Sequence, residues 1–385
     1  MSEEIPLFKV NMSSNLESVV NTLKSGMITQ GKKVDEFEDK LKEYFNYPYI
    51  LTLNSATSGL TLAYRLLVND EEKADTYVIS TPLTCFATTT AILANNLKII
   101  WADTDEKTCN IDLEDVKRKI NKNTKILSFV HWGGNAVNLD KVEELKKYAK
   151  EKYDIDLKVV EDCAHAFGTK FAGQYLGAGY NNIAVYSLQA IKHLTSGDGG
   201  LIFLPTEELY ERAKLLRWFG IDRTRRSKPG SDFRLEPDIS EYGYKFHMND
   251  ISASIGLENL SHIINTKSIE SCKYNGLYLQ QNLKNIEGIE LFDICMNSEV
   301  SFWIYTIKVK NGRKNEFMNY MKSKKIVVSQ VHARNDNHSC VKKYKCSLPN
   351  LDIIENEIVS IPSGFWLSES QLEYIVESIR LFFNK

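Results

Sequence analysis

"LDKVEELKKYAKEKYDIDLKVVEDCAHAFG", residues 139–168, reads as one complete helix-to-strand unit. Val142, Leu145 and Tyr148 recur at helical spacing and share one face. "LKVVEDC" (157–163) then gathers its apolar residues into a short run ending on Glu161 and Asp162, the pattern of a strand buried inside a sheet. In open α/β sheets ligands bind beyond the carboxyl ends of the strands, and Asp162 is at such an end.

The same alternation extends in both directions. "VDEFEDKLKEYF" (34–45) and "TSGLTLAYRLL" (57–67) are amphipathic helices. "TYVIST" (76–81), "LKIIWAD" (97–103), "KILSFVHW" (125–132), "NIAVYSL" (182–188) and "GLIFL" (200–204) are strand-like runs bounded by turn residues. Strands alternating with helices imply an α/β fold with a mostly parallel, doubly wound sheet. At 385 residues the chain exceeds one comfortable core. The pattern changes near 265 to a long helix ("IESCKYNGLYLQQNL"), a strand ("SFWIYTIKV") and two further helices. The expected division is a large cofactor-binding domain over 1–265 and a smaller C-terminal α+β domain over 266–385. The polar, basic stretch "DRTRRSKPGSDFRLEPD" (222–238) reads as an exposed loop.

Forty-eight basic and fifty acidic residues leave a net charge of -2, which recruits neither nucleic acid nor an anionic membrane. No apolar run approaches the length of a membrane span, and "MSEEIPLFKV" lacks the basic and apolar regions of a secretory leader. Seven scattered cysteines without metal-ligand spacing read as free thiols, so a cytoplasmic location and no metal are expected.

The chemistry is concentrated around "YSLQAIKHLTSGDGGLIFL" (186–204), where Lys192 lies between two strands and ahead of a glycine-rich turn. A lysine desolvated at such a turn becomes a usable amine nucleophile. "NSATSGL" (54–60) opens a helix whose first N–H groups and hydroxyls suit either a phosphate or an ordinary N-cap. "VVEDCAHAFG" adds Asp162 and His165 at a strand end. A phosphate anchor, a carboxylate for a pyridinium nitrogen and a Schiff-base amine, in that chain order, are what pyridoxal 5'-phosphate requires.

"EDCAHAFG", "YSLQAIKHLTSGDGG", "YGYKFHMNDISASIGL" (242–257), "GMITQGKKVDEFEDKLKEYF" (26–45) and "IPSGFWLSES" resemble, in order and spacing, the DegT/StrS-like sugar-nucleotide aminotransferases of the fold type I pyridoxal-phosphate enzymes. The resemblance covers nearly the whole chain. It implies that Lys192 carries the cofactor as a Schiff base and, once displaced, acts as general base. Asp162 would keep the ring nitrogen protonated, with His165 near the ring. Ala56, Thr57 and Ser187 would hold the phosphate, and Asn249 would reach the cofactor phosphate of a second subunit, implying a homodimer with shared sites. The family's aromatic residue over the cofactor aligns with Cys85, one position before Phe86, so that either Phe86 or the pair His165 and Thr84 covers that face. Substrate contacts carried over are Thr29, Lys192, Arg223, His332, Arg334 and His338, with Arg225, Arg226 and Lys228 as further cations for a diphosphate.

The resemblance implies transamination from L-glutamate, through the pyridoxamine 5'-phosphate form, to a keto group of a nucleotide-linked deoxysugar. "PLTC", "LRWFGIDR" (216–223) and "VHARNDNH" (331–338) look most like the branch that aminates C4 of nucleotide-4-keto-6-deoxyhexoses, as in perosamine or viosamine synthesis. Amination at C3 is the alternative. Keto-sugar 3-dehydratases carry histidine in place of the lysine, and here the residue is Lys192 with His193 beside it. A cofactor-binding sensor without turnover is the reading from another class; retention of the lysine, the aspartate and the asparagine argues against it. The residues do not distinguish GDP from UDP or dTDP. The product would enter a glycan or polysaccharide.

Overall fold

The computed structural model of the chain describes residues 4–223 and 238–384. The central sheet has seven strands in the order β1 (Ile50–Leu53), β9 (Gly200–Phe203), β8 (Ile183–Ser187), β5 (Lys158–Asp162), β4 (Thr124–Val130), β2 (Tyr77–Ser80) and β3 (Lys98–Trp101). From β8 to β3 every neighbouring pair is parallel, whereas β9 runs antiparallel to both β1 and β8. The sheet is therefore mostly parallel, and it carries apolar clusters built with the flanking helices.

Those helices follow the sequence periodicity. Helix α1 spans Glu17–Ser25, and α2 (Lys32–Phe45) buries Val34, Phe37, Leu41 and Phe45. Each such side chain contributes about 2 kcal/mol of burial. Helix α3 (Ala56–Leu67) is capped by Ser55, whose hydroxyl accepts from the Ser58 N–H at 3.0 Å. Gly59 of α3 lets this helix lie against the sheet, since a Cβ there would stand 2.8 Å from Val185. Helices α4 (Phe86–Ala94), α5 (Leu113–Lys119), α6 (Leu139–Tyr153) and α7 (Glu207–Leu216) complete the crossovers. In α6, Leu139, Val142, Leu145 and Ala149 are buried, with Asn138 as N-cap.

Helix α8 (Asp250–Thr266) packs on α1 and α2, and α9 (Ser268–Asn282) follows after Lys267, which has left-handed backbone. A second sheet pairs β10 (Ile289–Leu291), β12 (Tyr305–Val309) and β13 (Ile358–Ile361) in that order. A third joins β11 (Ser298–Glu299) to the hairpin β6 (Lys170–Phe171) and β7 (Gln174–Tyr175). Helices α10 (Lys314–Ser323), α11 (Pro349–Glu355) and α12 (Glu369–Phe383) complete the chain, and α10 and α12 share a separate apolar cluster with β12 and β13.

Ile5 of the N-terminal segment belongs to that cluster. Ile5 bridges to Ile326, Phe8 stacks on Trp303 with ring centroids 4.9 Å apart, and the Ser13 N–H donates to Asn259 Oδ1 at 2.8 Å. The segment thus runs from the turn after α10 to α8 past Trp303. Among the described residues no helix is long and apolar enough to cross a membrane.

Candidate active site

Two adjacent parallel strands end together, Val130 of β4 pairing with Asp162 of β5, and Asp162 pairs in turn with Val185 of β8, two residues before that strand ends. Beyond these ends the structure gathers Asp162, His165, Lys192 and His332. Asp162 is buried, its Oδ2 accepting from Thr88 Oγ1 at 2.6 Å and its Oδ1 from the Ala164 N–H at 3.0 Å. Burial raises its pKa above the usual carboxylate value, opposed by these two donors and by the charge of Lys192.

Lys192 leaves β8 on a short turn in which its N–H donates to Gln189 O at 2.9 Å. Its Nζ lies 3.4 Å from the centroid of the Trp303 ring. Burial pulls the amine down to about 7, against the pull of Asp162 and Cys85. Such an amine is available unprotonated near neutrality.

His165 stacks on Trp303 at 4.1 Å between centroids and lies parallel to His332 within 9°. Its Nδ1 accepts from the Gly133 N–H at 3.4 Å, so neutral His165 keeps its proton on Nε2, which faces His332 Nε2 at 3.4 Å. Burial holds His165 well below its ordinary value, with Lys192 adding to the effect, and takes His332 down to about 4. Both rings are neutral at pH 7. Two residues beside the site have left-handed backbone: Phe302 (φ 48°) precedes Trp303, and Val331 (φ 70°) precedes His332. For a β-branched residue such as Val331 that conformation is costly and persists only where the surroundings impose it.

The phosphate-binding candidates meet on the neighbouring strands. Ser187 ends β8 and pairs with Gly200, which pairs with Leu53 at the end of β1. A Cβ on Gly200 would stand 2.5 Å from the Ser55 carbonyl carbon, so β9 presses directly on the start of α3, where Ala56 and Thr57 form the first turn. The first N–H groups of a helix have no intrahelical acceptors and favour an anion. A buried carboxylate, a buried amine and this helix start fit pyridoxal phosphate.

Cys85 caps α4 and is exposed, close enough to Lys192 to act on its charge. Phe86 packs edge-on against His338 at 4.9 Å. The large ring beside Lys192 is Trp303, which the sequence reading placed inside a strand.

Thr29, Arg223 and Asn249 form a second group. The Thr29 carbonyl accepts from the Asp250 N–H at 3.1 Å, and Asn249 caps α8 through Ser252 N–H at 2.9 Å. Arg223 donates to the Gln30 side chain and, at 2.8 Å, to the Gln30 carbonyl, with its guanidinium 4.4 Å from the Trp218 ring. Thr29 and Asp250 line a cavity of about 770 Å³ beside α1. Arg225, Arg226 and Lys228 lie outside the described residues.

Arg334 has a different setting from the one expected of a diphosphate ligand. Its Nε and Nη2 pair with both carboxylate oxygens of Asp336 at 2.7 and 2.8 Å, and its Nη1 pairs with Asp352 at 2.5 Å and Glu355 at 3.4 Å. These carboxylates come from nearby turns and α11, and together they engage the guanidinium within the chain.

Behind Asp162 lies a closed polar layer. His131 Nε2 donates to Glu161 Oε2 at 3.0 Å, its Nδ1 accepts from the Val137 N–H at 2.9 Å, and Glu161 Oε1 accepts from Asn182 at 2.7 Å. His131, Glu161 and Cys163 are close enough together to hold a metal ion. Both imidazole nitrogens and both carboxylate oxygens, however, already have protein partners.

The chain is similar to solved structures over almost all its length. AtS13 from Actinomadura melliaura is 41% identical with a TM-score of 0.92, covering 99% of both chains. The sugar aminotransferase CalS13 from Micromonospora echinospora is 37% identical with a TM-score of 0.91, covering 98% of this chain and 99% of that one. A UDP-4-amino-4,6-dideoxy-N-acetyl-beta-L-altrosamine transaminase of Campylobacter jejuni is 31% identical over 78% of this chain and 71% of its own. The sequence pattern of one family matches residues 11–380, and the chain belongs to it: the DegT/DnrJ/EryC1/StrS aminotransferase family.

Proposed function

We propose that this chain uses pyridoxal phosphate to move an amino group from L-glutamate to C4 of a nucleotide-linked 4-keto-6-deoxyhexose. The observation that carries the reading is the placement of a buried amine near neutrality, Lys192, and a buried carboxylate, Asp162, within reach of each other's charge where β5 and β8 end. When bound, the cofactor supplies an electron sink for the charge left as a proton departs from the neighbouring carbon. Asp162 holds a proton on the ring nitrogen, Lys192 takes and returns the proton at carbon, and Ala56, Thr57 and Ser187 hold the phosphate. His165, neutral and fixed by Gly133, flanks the ring.

Amination at C4 is supported by the 31% identical Campylobacter jejuni relative, whose named sugar carries its amino group at that carbon. The dehydratase reading is not favoured: Lys192 stands at the cofactor position, and the His193 ring is turned to the Ser301 carbonyl at 3.2 Å.

The second group, Thr29, Arg223 and Asn249, completes the site of a partner subunit in this proposal. Leu16, Val20, Leu23, Met27 and Ile28 expose an apolar surface around it, as a subunit contact would require. His332 and His338 contact the sugar nucleotide, whereas Arg334 braces their loop. We place the boundary between the large and small domains near residue 265, where α8 gives way to α9. All seven cysteines are free thiols, which supports a cytoplasmic location.

The test is spectroscopic and chemical. The purified protein with pyridoxal phosphate loses its visible band on adding glutamate, Lys192→Ala has no such band, and a keto-sugar nucleotide restores the band. NMR of the product separates C4 from C3. A band that ignores glutamate overturns the donor assignment.

A further inference from the structure

We infer that Trp303 is a catalytic residue that holds the Lys192 amine against its ring face whenever that amine is not bonded to the cofactor. The inference rests on the role proposed for Lys192. Its basis is the 3.4 Å approach of Nζ to the Trp303 centroid in a pocket where, among the described residues, no carboxylate forms an ion pair with Lys192.

The ring is fixed from several directions. Its Nε1–H donates to the carbonyl of Ile191, the residue before Lys192, at 2.8 Å. Its backbone N–H donates to Gly133 O at 3.0 Å. His165 and Phe8 stack on it at 4.1 and 4.9 Å, and the left-handed backbone of Phe302 directs it into the site. One side chain thereby senses the lysine turn through its N–H and the lysine amine through its face.

The chemistry explains why an indole suits this place. Transamination displaces the lysine from the cofactor, requires it to carry a proton, and then requires its return. A four-carbon stem without a resting place would sample many positions in that interval. A carboxylate would fix the ammonium but compete for its proton. An aromatic face attracts the ammonium through its quadrupole and offers no lone pair to take the proton. The amine stays in the pocket with its proton available.

The experiment uses the full-length protein freed of cofactor. Only the unprotonated amine attacks, so the rate of covalent attachment of added pyridoxal phosphate, followed by visible absorbance across pH, reports the pKa of free Lys192. Trp303→Leu removes the face and the N–H, whereas Trp303→Phe keeps a face. The expected result is a pKa lower by about one unit in the leucine variant, with a shift less than half as large in the phenylalanine variant. Trp303→Met replaces the leucine variant if that protein does not fold. The inference is overturned if the leucine profile superimposes on the wild type or moves upward, or if phenylalanine shifts it as far as leucine. Lys192→Ala separates the two levels: attachment that persists in that variant refutes the role of Lys192 itself, whatever Trp303 does.

Discussion

The hydroxyl of Thr88 lies 2.6 Å from Asp162 Oδ2, joining the third residue of α4 to the end of a strand 74 positions away. The donor stabilises the ionised form of a carboxylate whose pKa burial raises.

Thr88→Val removes that donor and leaves the carboxylate oxygen unsatisfied. Hydrogen bonds to charged groups contribute about 1.5–3 kcal/mol, so affinity for pyridoxal phosphate should fall by roughly tenfold or more. Thr88→Ser should restore most of it. Equilibrium titration of the cofactor checks both, and equal affinity in the valine variant would remove Thr88 from the account.

Gly276 on α9 lies under the Phe302 ring, where an added Cβ would come within 2.2 Å of a ring carbon. Gly276→Ala must displace Phe302 and with it the Trp303 that follows. Overpacking of this kind costs about 1–3 kcal/mol. A lowered denaturation midpoint, together with altered tryptophan fluorescence, is the expected result.

Acid should weaken the protein through its buried histidines. His193 and His332 are pulled down to about 4 by burial, and His165 well below its ordinary value. Unfolded histidine titrates near 6.5. Below that pH the unfolded chain takes up protons that the folded chain refuses, so stability drops as pH falls from about 6.5 towards 4. Urea midpoints at pH 7 and 4.5 should differ less in His332→Gln than in the wild type.

Arg334→Met tests whether this guanidinium serves structure or substrate. It leaves Asp336, only 1% exposed, without its partner. Breaking such a pair costs about 3–5 kcal/mol. Thermal stability should fall while KM for the sugar nucleotide stays within about twofold; a large rise in KM would return Arg334 to the substrate.

Much of this arrangement is legible in the amino-acid order because its signals are local. The apolar faces of α2 and α6 are written at helical spacing, and β5 announces itself by a buried run ending on acids. The remainder depends on contacts between distant segments. "SFWIYTIKV" reads as one continuous strand, yet the strand begins only at Tyr305. Nothing about a phenylalanine signals the left-handed turn at Phe302 that places Trp303 beside Lys192. Arg334 suggested an anion site by its type, and the three carboxylates that surround it come from separate positions in the chain. His332 meets His165 across 167 residues, a pairing that no spacing rule reveals.

The bridge from Ile5 to Ile326 sets an order of events during synthesis. Ile5 is made well before Ile326 and must wait for that partner. Phe8 therefore reaches its place on Trp303 only after the segment carrying that tryptophan has been made. The environment of Lys192 is completed by Trp303 and His332, both made after it, so a nascent chain holding the lysine alone should not yet capture the cofactor stably.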